Sequence, residues 1–235
     1  MELFIDGPEG RLEALYHAPL GPGATPLERP RASAVVCHPH PAHGGNMHST
    51  VTFRIAKGLE RAGVAALRIN FRGVGRSEGR YHGAGGEEGD AEAALAWLAA
   101  RHPGAPQWAA GFSFGSRTVF GLAKRRPDIQ RLVLVGFPAR AYPLPGVDLL
   151  DRPALFIWGE QDEYGNLSDL RAQFPRLSAR FEFEQLPGAD HFFRRSTKEL
   201  EERVWRWASA AASDVYKRQV LECGPKPMGL RGSVV

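Results

Sequence analysis

The sequence predicts an α/β fold, a mostly parallel sheet with helices on both of its faces. Short, nearly continuous apolar runs recur along the chain, which marks strands covered on both sides. Segments with apolar residues at helical spacing lie between those runs. The two kinds alternate over residues 1–213 with no internal repeat and no dividing linker, so one domain is expected there.

The elements follow in order. "LFIDGPEGRLEALYHAP" predicts a hairpin turning at "GPEG", an antiparallel edge. "SAVVCH" (33–38) is the first buried strand, and "HSTVTFRIAKGLERAG" sets Ile55, Leu59 and Ala62 on one helical stripe. "VAALRINF" (64–71) is the next strand, and "GDAEAALAWLAARH" aligns Ala91, Ala94, Leu95 and Leu98. "QWAAGF" (107–112) then meets the helical run "FGSRTVFGLAKRR". "RLVLVGF" (131–137), "PALFIWG" (153–159) and "FEFEQLPG" (181–188) complete the strands. "STKELEERVWRWASAA" closes the fold with Leu200, Val204, Trp207, Ala208 and Ala211 on one face.

The chain has 235 residues, 43% hydrophobic and 24% charged, the composition of an ordinary soluble globular protein. No apolar run reaches the roughly 20 residues a membrane helix needs, and the acidic start does not resemble a signal peptide. Two cysteines, Cys37 and Cys223, make no disulfide framework, so a cytoplasmic location is expected. A net charge of +4 with scattered Lys and Arg argues against nucleic acid as a partner. "DVYKRQ" (214–219) resembles the translated transposon end of a sequencing-library adapter, and no strand or helix period follows it. Residues 214–235 are therefore expected to be an artefactual or disordered tail. Without Lys217, Arg218, Lys226, Arg231, Asp214 and Glu222 the net charge falls to +2.

Sites in open α/β sheets lie beyond the carboxyl ends of the strands. In this chain those ends carry "HPHPAHGGNMH", "RGVGRSEG", Ser113, "EQDEYG" and "ADHFF", giving the order Ser113, Asp162, His191. Gly-x-Ser-x-Gly is weak evidence by itself, but here a strand precedes it and a helix follows. Gly111 and Gly115 suit a tight turn that would expose Ser113, and the helix N-terminus suits a developing oxyanion. The bland reading makes Ser113 an N-cap, with Ser116 a lesser nucleophile. A serine hydroxyl needs a base, and the base needs an orienting group. His191 is the best base and Asp162 the best acid, with Glu160, Glu163 and Asp190 as its rivals.

"VVCHPHPAHGG", "LRINFRGVGRSEG", "AAGFSFGS", "IWGEQDE" and "LPGADHFF" together resemble the small bacterial α/β-hydrolases with a His-Pro-His-Pro motif, near the dienelactone-hydrolase and short-esterase branches. The resemblance covers about residues 1–210 and implies an α/β-hydrolase fold, with Ser113 as nucleophile, Asp162 as acid and His191 as base. Where relatives often continue Val-Val-Pro after "QDE", this chain has Tyr164-Gly165-Asn166. Only residues 138–152 fill the place where such hydrolases often insert a cap, so a minimal cap or none is expected.

In the hydrolase reading the His-Pro-His-Pro loop supplies a second oxyanion donor. Pro39 and Pro41 lack N–H groups, which leaves His40 to act with Phe114. The competing reading is a metal site on His38, His40 and His43, similar to His-x-His-x-Asp-His but without its aspartate. "NFRGVGRSEG" lacks phosphate-loop spacing; Arg72 is expected near the site rim, with substrate contact by Arg72 or Arg76 the lesser reading. "GEEGD" (86–90) is expected to be a helix-start charge cluster. Phe112, Phe114, Phe137, Tyr164 and Phe192 are candidates to line an apolar acyl pocket. The function expected is a cofactor-independent serine hydrolase acting on a small-molecule ester or thioester. A metal-dependent hydrolase and a catalytically silent binding protein are the alternatives, and the oligomeric state is not legible.

Overall fold

In the computed structural model, residues 1–81, 83, 85–141, 146–174 and 176–222 are described, 214–222 of them as backbone. The hairpin strands β1 (Glu2–Gly7) and β2 (Gly10–His17) pair antiparallel, and β2 pairs antiparallel with β4 (Val64–Ile69). Parallel pairing then carries the sheet through β3 (Ala32–Cys37), β5 (Gln107–Phe112), β6 (Ile129–Val135), β7 (Ala154–Gly159) and β8 (Phe181–Leu186). The order is β1-β2-β4-β3-β5-β6-β7-β8.

Every residue of β3, β4 and β7 is buried, which is why these strands read as unbroken apolar runs. Alternate side chains enter different layers. Val35, Leu67 and Ala109 face α2 (Glu87–Arg101) and α3 (Phe114–Arg125); Ala34, Val36 and Ala110 face α1 (Thr50–Arg61) and α5 (Thr197–Glu222). The apolar stripes expected on α1, α2 and α5 are all buried, from Ile55 to Ala211.

Two elements depart from expectation. A short helix α4 (Leu167–Gln173) follows β7, started by a capping box in which Asn166 accepts from the Asp169 N–H and Asp169 accepts from the Asn166 N–H. The last helix, expected to stop before Asp214, continues to Glu222. Residues 214–222 contain no Gly or Pro, so nothing in them halts a helix already nucleated. The remainder of the expected tail, 223–235, lies outside the described residues.

The topology fixes where a site can form. From β3 the chain crosses to β4 on one side, and it returns to β5 on the other side of β3. Such a reversal opens a crevice beyond the strand ends. Cys37 at the end of β3 pairs in register with Gly111, so the loop after β3 and Ser113 rise side by side.

Candidate active site

Ser113 stands on the turn between β5 and α3 with φ 53° and ψ −117°, a conformation that costs a non-glycine residue about 1–3 kcal/mol. Its N–H donates to the Val135 carbonyl at 2.8 Å, which ties the turn to the neighbouring strand. The flanking glycines are needed for close approach. A Cβ on Gly111 would lie 2.3 Å from the Gly115 carbonyl carbon, and one on Gly115 would lie 2.4 Å from the Cys37 carbonyl oxygen. Backbone therefore meets backbone on both sides of the serine. The Ser113 side chain makes no capping bond, which removes the N-cap reading. Ser116 is buried, and its hydroxyl donates to the Ser113 carbonyl at 2.6 Å.

The Ser113 hydroxyl lies 3.0 Å from His191 Nε2, and His191 Nδ1 lies 2.9 Å from both carboxylate oxygens of Asp162. Since Nδ1 must donate to the carboxylate, the neutral ring leaves a lone pair on Nε2 facing the serine. His191 and Asp162 are 3% and 5% exposed, so their bond is shielded from competing water. The loops carrying them are joined by the Gln161 N–H donating to the Ala189 carbonyl at 2.9 Å. The rivals of Asp162 are employed elsewhere or exposed. Glu160 accepts from the Gly188 N–H, Asp190 from the Arg194 N–H, and Glu163 faces solvent. At the departure from the resemblance, the Tyr164 N–H donates to Asp162 Oδ1 at 2.9 Å and the Tyr164 ring lies 4.5 Å from the His191 ring.

The three imidazoles of the His-Pro-His-Pro loop do not converge on a point. His38 is fully buried, and its Nε2 accepts from the Phe71 N–H at 3.1 Å. Its Nδ1 then carries the proton and donates to the Pro39 carbonyl at 2.6 Å. Burial pushes the basicity of this ring down to about 4. With both nitrogens engaged, His38 cannot ligate, and the metal reading fails. His40 stacks on His43 at 4.5 Å between ring centres, and its Nδ1 accepts from the Ala42 N–H. Burial and the neighbouring His43 lower the basicity of His40 as well.

A cleft of about 240 Å³ opens over Ser113 and His191. Phe114, Tyr164 and Phe192 line it as expected, joined by His43, weighed from sequence only as a metal ligand, and by Pro138, Ala141 and Asn46, which the sequence did not single out. Phe112 and Phe137 are corrected to core residues at 0% exposure. Phe112 lies in the α1/α5 layer beneath His191, and Phe137 packs between Phe120 and Phe156. Arg72 is not a substrate contact either: it is 4% exposed and paired with the buried Asp90 at 2.7 Å. Arg76 pairs with Glu13 and Glu2. Glu87, Glu88 and Asp90 do lie in the first turn of α2. A larger depression, about 930 Å³, sits beyond the opposite, amino ends of the central strands β3 and β5, and none of the three hydrogen-bonded residues lines it.

Among the described residues the segment between β6 and β7 contains no helix, and its Pro138 and Ala141 line the cleft; residues 142–145 lie outside the description. Fold and site together define an α/β serine hydrolase. The sequence profile of the serine aminopeptidase S33 family matches residues 29–147, and the chain belongs to that family. An uncharacterized protein of Rickettsia prowazekii is 34% identical over 212 residues, 86% of each chain. An α/β serine hydrolase homologue from Coxiella burnetii is 33% identical, with a TM-score of 0.79 over 88% of this chain and 96% of that one. A lidless serine hydrolase from Xanthomonas campestris is 28% identical, with a TM-score of 0.76 over 97% and 96%.

Proposed function

We propose that the protein hydrolyses small carboxylic esters or thioesters through an acyl-enzyme on Ser113. The observation that carries this reading is the continuous hydrogen-bonded chain from Ser113 through His191 to Asp162. Ser113 Oγ attacks the carbonyl carbon while His191 Nε2 takes its proton. The C–O or C–S bond then breaks, and His191 returns that proton to the leaving alcohol or thiol. Water repeats the sequence on the acyl-enzyme, releasing the acid and restoring the serine. Asp162 keeps Nδ1 as the donor and stabilises the imidazolium.

The backbone N–H groups of Phe114 and His40 hold the oxyanion. In support, both residues line the same cleft as Ser113, their rings lie 5.0 Å apart, and neither N–H has a protein acceptor among the described residues. An aminopeptidase substrate carries an α-ammonium group, which calls for a carboxylate partner in the cleft. The described lining contains none, which favours esters over peptide N-termini. Burial of the free Cys37 thiol suits work in the cytoplasm without requiring it.

The test compares p-nitrophenyl esters, acyl-CoA thioesters and aminoacyl p-nitroanilides. Ester or thioester turnover is expected to exceed anilide turnover, and Ser113→Ala is expected to lose roughly a thousandfold or more with the fold intact. Faster anilide turnover would overturn the ester assignment. No turnover together with an unreactive Ser113 would leave a binding protein.

A further inference from the structure

We propose that Tyr81 is a positioning residue for the oxyanion site, holding the His40 loop through its hydroxyl; this rests on the assignment of the His40 N–H as second donor. Tyr81 belongs to the long connection between β4 and α2, 41 residues from His40, and approaches the site from outside the three strand-end loops that carry the hydrogen-bonded triad. Its hydroxyl lies 3.2 Å from His40 Nε2. Its ring meets the His40 ring edge-on at 5.5 Å and the Phe114 ring at 6.1 Å. One side chain thus touches both residues whose N–H groups are assigned to the oxyanion.

The direction of the bond follows from the other ring nitrogen. The Ala42 N–H donates to His40 Nδ1 at 3.2 Å, so the proton of the neutral ring is on Nε2 and is donated to the Tyr81 oxygen. His40 is therefore held at both nitrogens, once within its own turn and once across the chain. Pro39 and Pro41 fix their own φ angles, but neither fixes the plane of the peptide between residues 39 and 40. That plane aims the His40 N–H. Its Pro39 carbonyl end is held by the His38 Nδ1 donor, and the Tyr81 bond holds the His40 end, at backbone φ −54° and ψ 120°.

Complete removal of an oxyanion donor typically costs a hundredfold to a thousandfold in turnover, and loosening one costs less. Tyr81→Phe keeps the ring and removes the tether. The deciding readout is the rate at which an alkyl fluorophosphonate phosphonylates Ser113, a reaction that uses the same donors and requires no knowledge of the substrate. Hydrolysis of p-nitrophenyl acetate, normalised to titrated Ser113, is the second readout. Tyr81→Phe is expected to slow phosphonylation about tenfold and to lower kcat by a similar factor. KM is expected to stay within about twofold and Tm within about 2 °C, since no packing is lost. Tyr81→Ala, which also removes the ring contacts, is expected to be at least as slow per titrated serine and lower in Tm.

A purely structural role would lower Tm in Tyr81→Ala and leave the rate per titrated serine of Tyr81→Phe within twofold of wild type; that result overturns the proposal. Failure of the wild-type protein to be phosphonylated at Ser113 would instead defeat the serine mechanism, and the role of Tyr81 with it.

Discussion

Burial of the His38 ring between a donor and an acceptor makes its neutral form part of the folded state. Its basicity falls from 6.5 in the open chain to about 4. Because the folded-state value is lowered, the stability gained is fully present above pH 6.5 and is lost as the pH falls toward 4. The size is about 3 kcal/mol. Urea unfolding of wild type and His38→Asn at pH 7 and pH 4 isolates this contribution from the general protonation of carboxylates. Wild type is expected to lose about 3 kcal/mol more than the variant over that interval, and equal losses would contradict the account. From sequence this histidine was weighed as a metal ligand, because proximity along the chain cannot show that a ring turns into the core. The grouping of Ser113, Asp162 and His191 was legible for the opposite reason, since each stands in the loop that follows a strand read from the sequence. Tyr81 follows a glycine-rich run without periodicity, and its partner His40 lies 41 residues away.

At the scale of elements, the contact between α3 and β3 is made by Gly115 against the Cys37 and His38 carbonyls. Gly115→Ala places a methyl group on two carbonyl oxygens that cannot retreat without moving a central strand. A destabilisation of about 1–3 kcal/mol is expected in chemical unfolding. Turnover is expected to fall further, because the shift also moves Phe114; a variant with wild-type stability and rate would show that the turn relaxes freely. Strands β3, β4 and β7 were legible because each is buried on both faces and so reads as a continuous apolar run. Helix α4 was not, since it buries only Leu170 and shows no apolar stripe, although Asn166 and Asp169 spell out its cap. The end of α5 was misread because a helix can extend without an apolar stripe. Among the described side chains its buried face ends at Ala212. A chain ending at Ser213 is therefore expected to melt within about 3 °C of the full chain, whereas a drop beyond 10 °C would show that the extension docks.

For the whole molecule, the consequential feature is a site open to solvent at the switch point of the sheet. Turnover of soluble p-nitrophenyl butyrate is expected to rise smoothly with substrate and to show no jump when detergent micelles or ester droplets appear, because the described residues form no cap to displace. A sharp rise at such an interface would reveal a lid among residues 138–152. Strand and helix patterning made the architecture legible, and the shortness of 138–152 made the open site legible. The rim was less so, because His43, Asn46, Pro138 and Ala141 come together only after the loops fold over one another. Activation of Ser113 by His191 and Asp162 is tested by intact-mass spectrometry after fluorophosphonate treatment. A single adduct is expected, mapped to Ser113, absent from Ser113→Ala and formed at least a hundredfold more slowly in His191→Ala. An unlabelled wild type, an adduct on another residue, or labelling indifferent to His191 would contradict it.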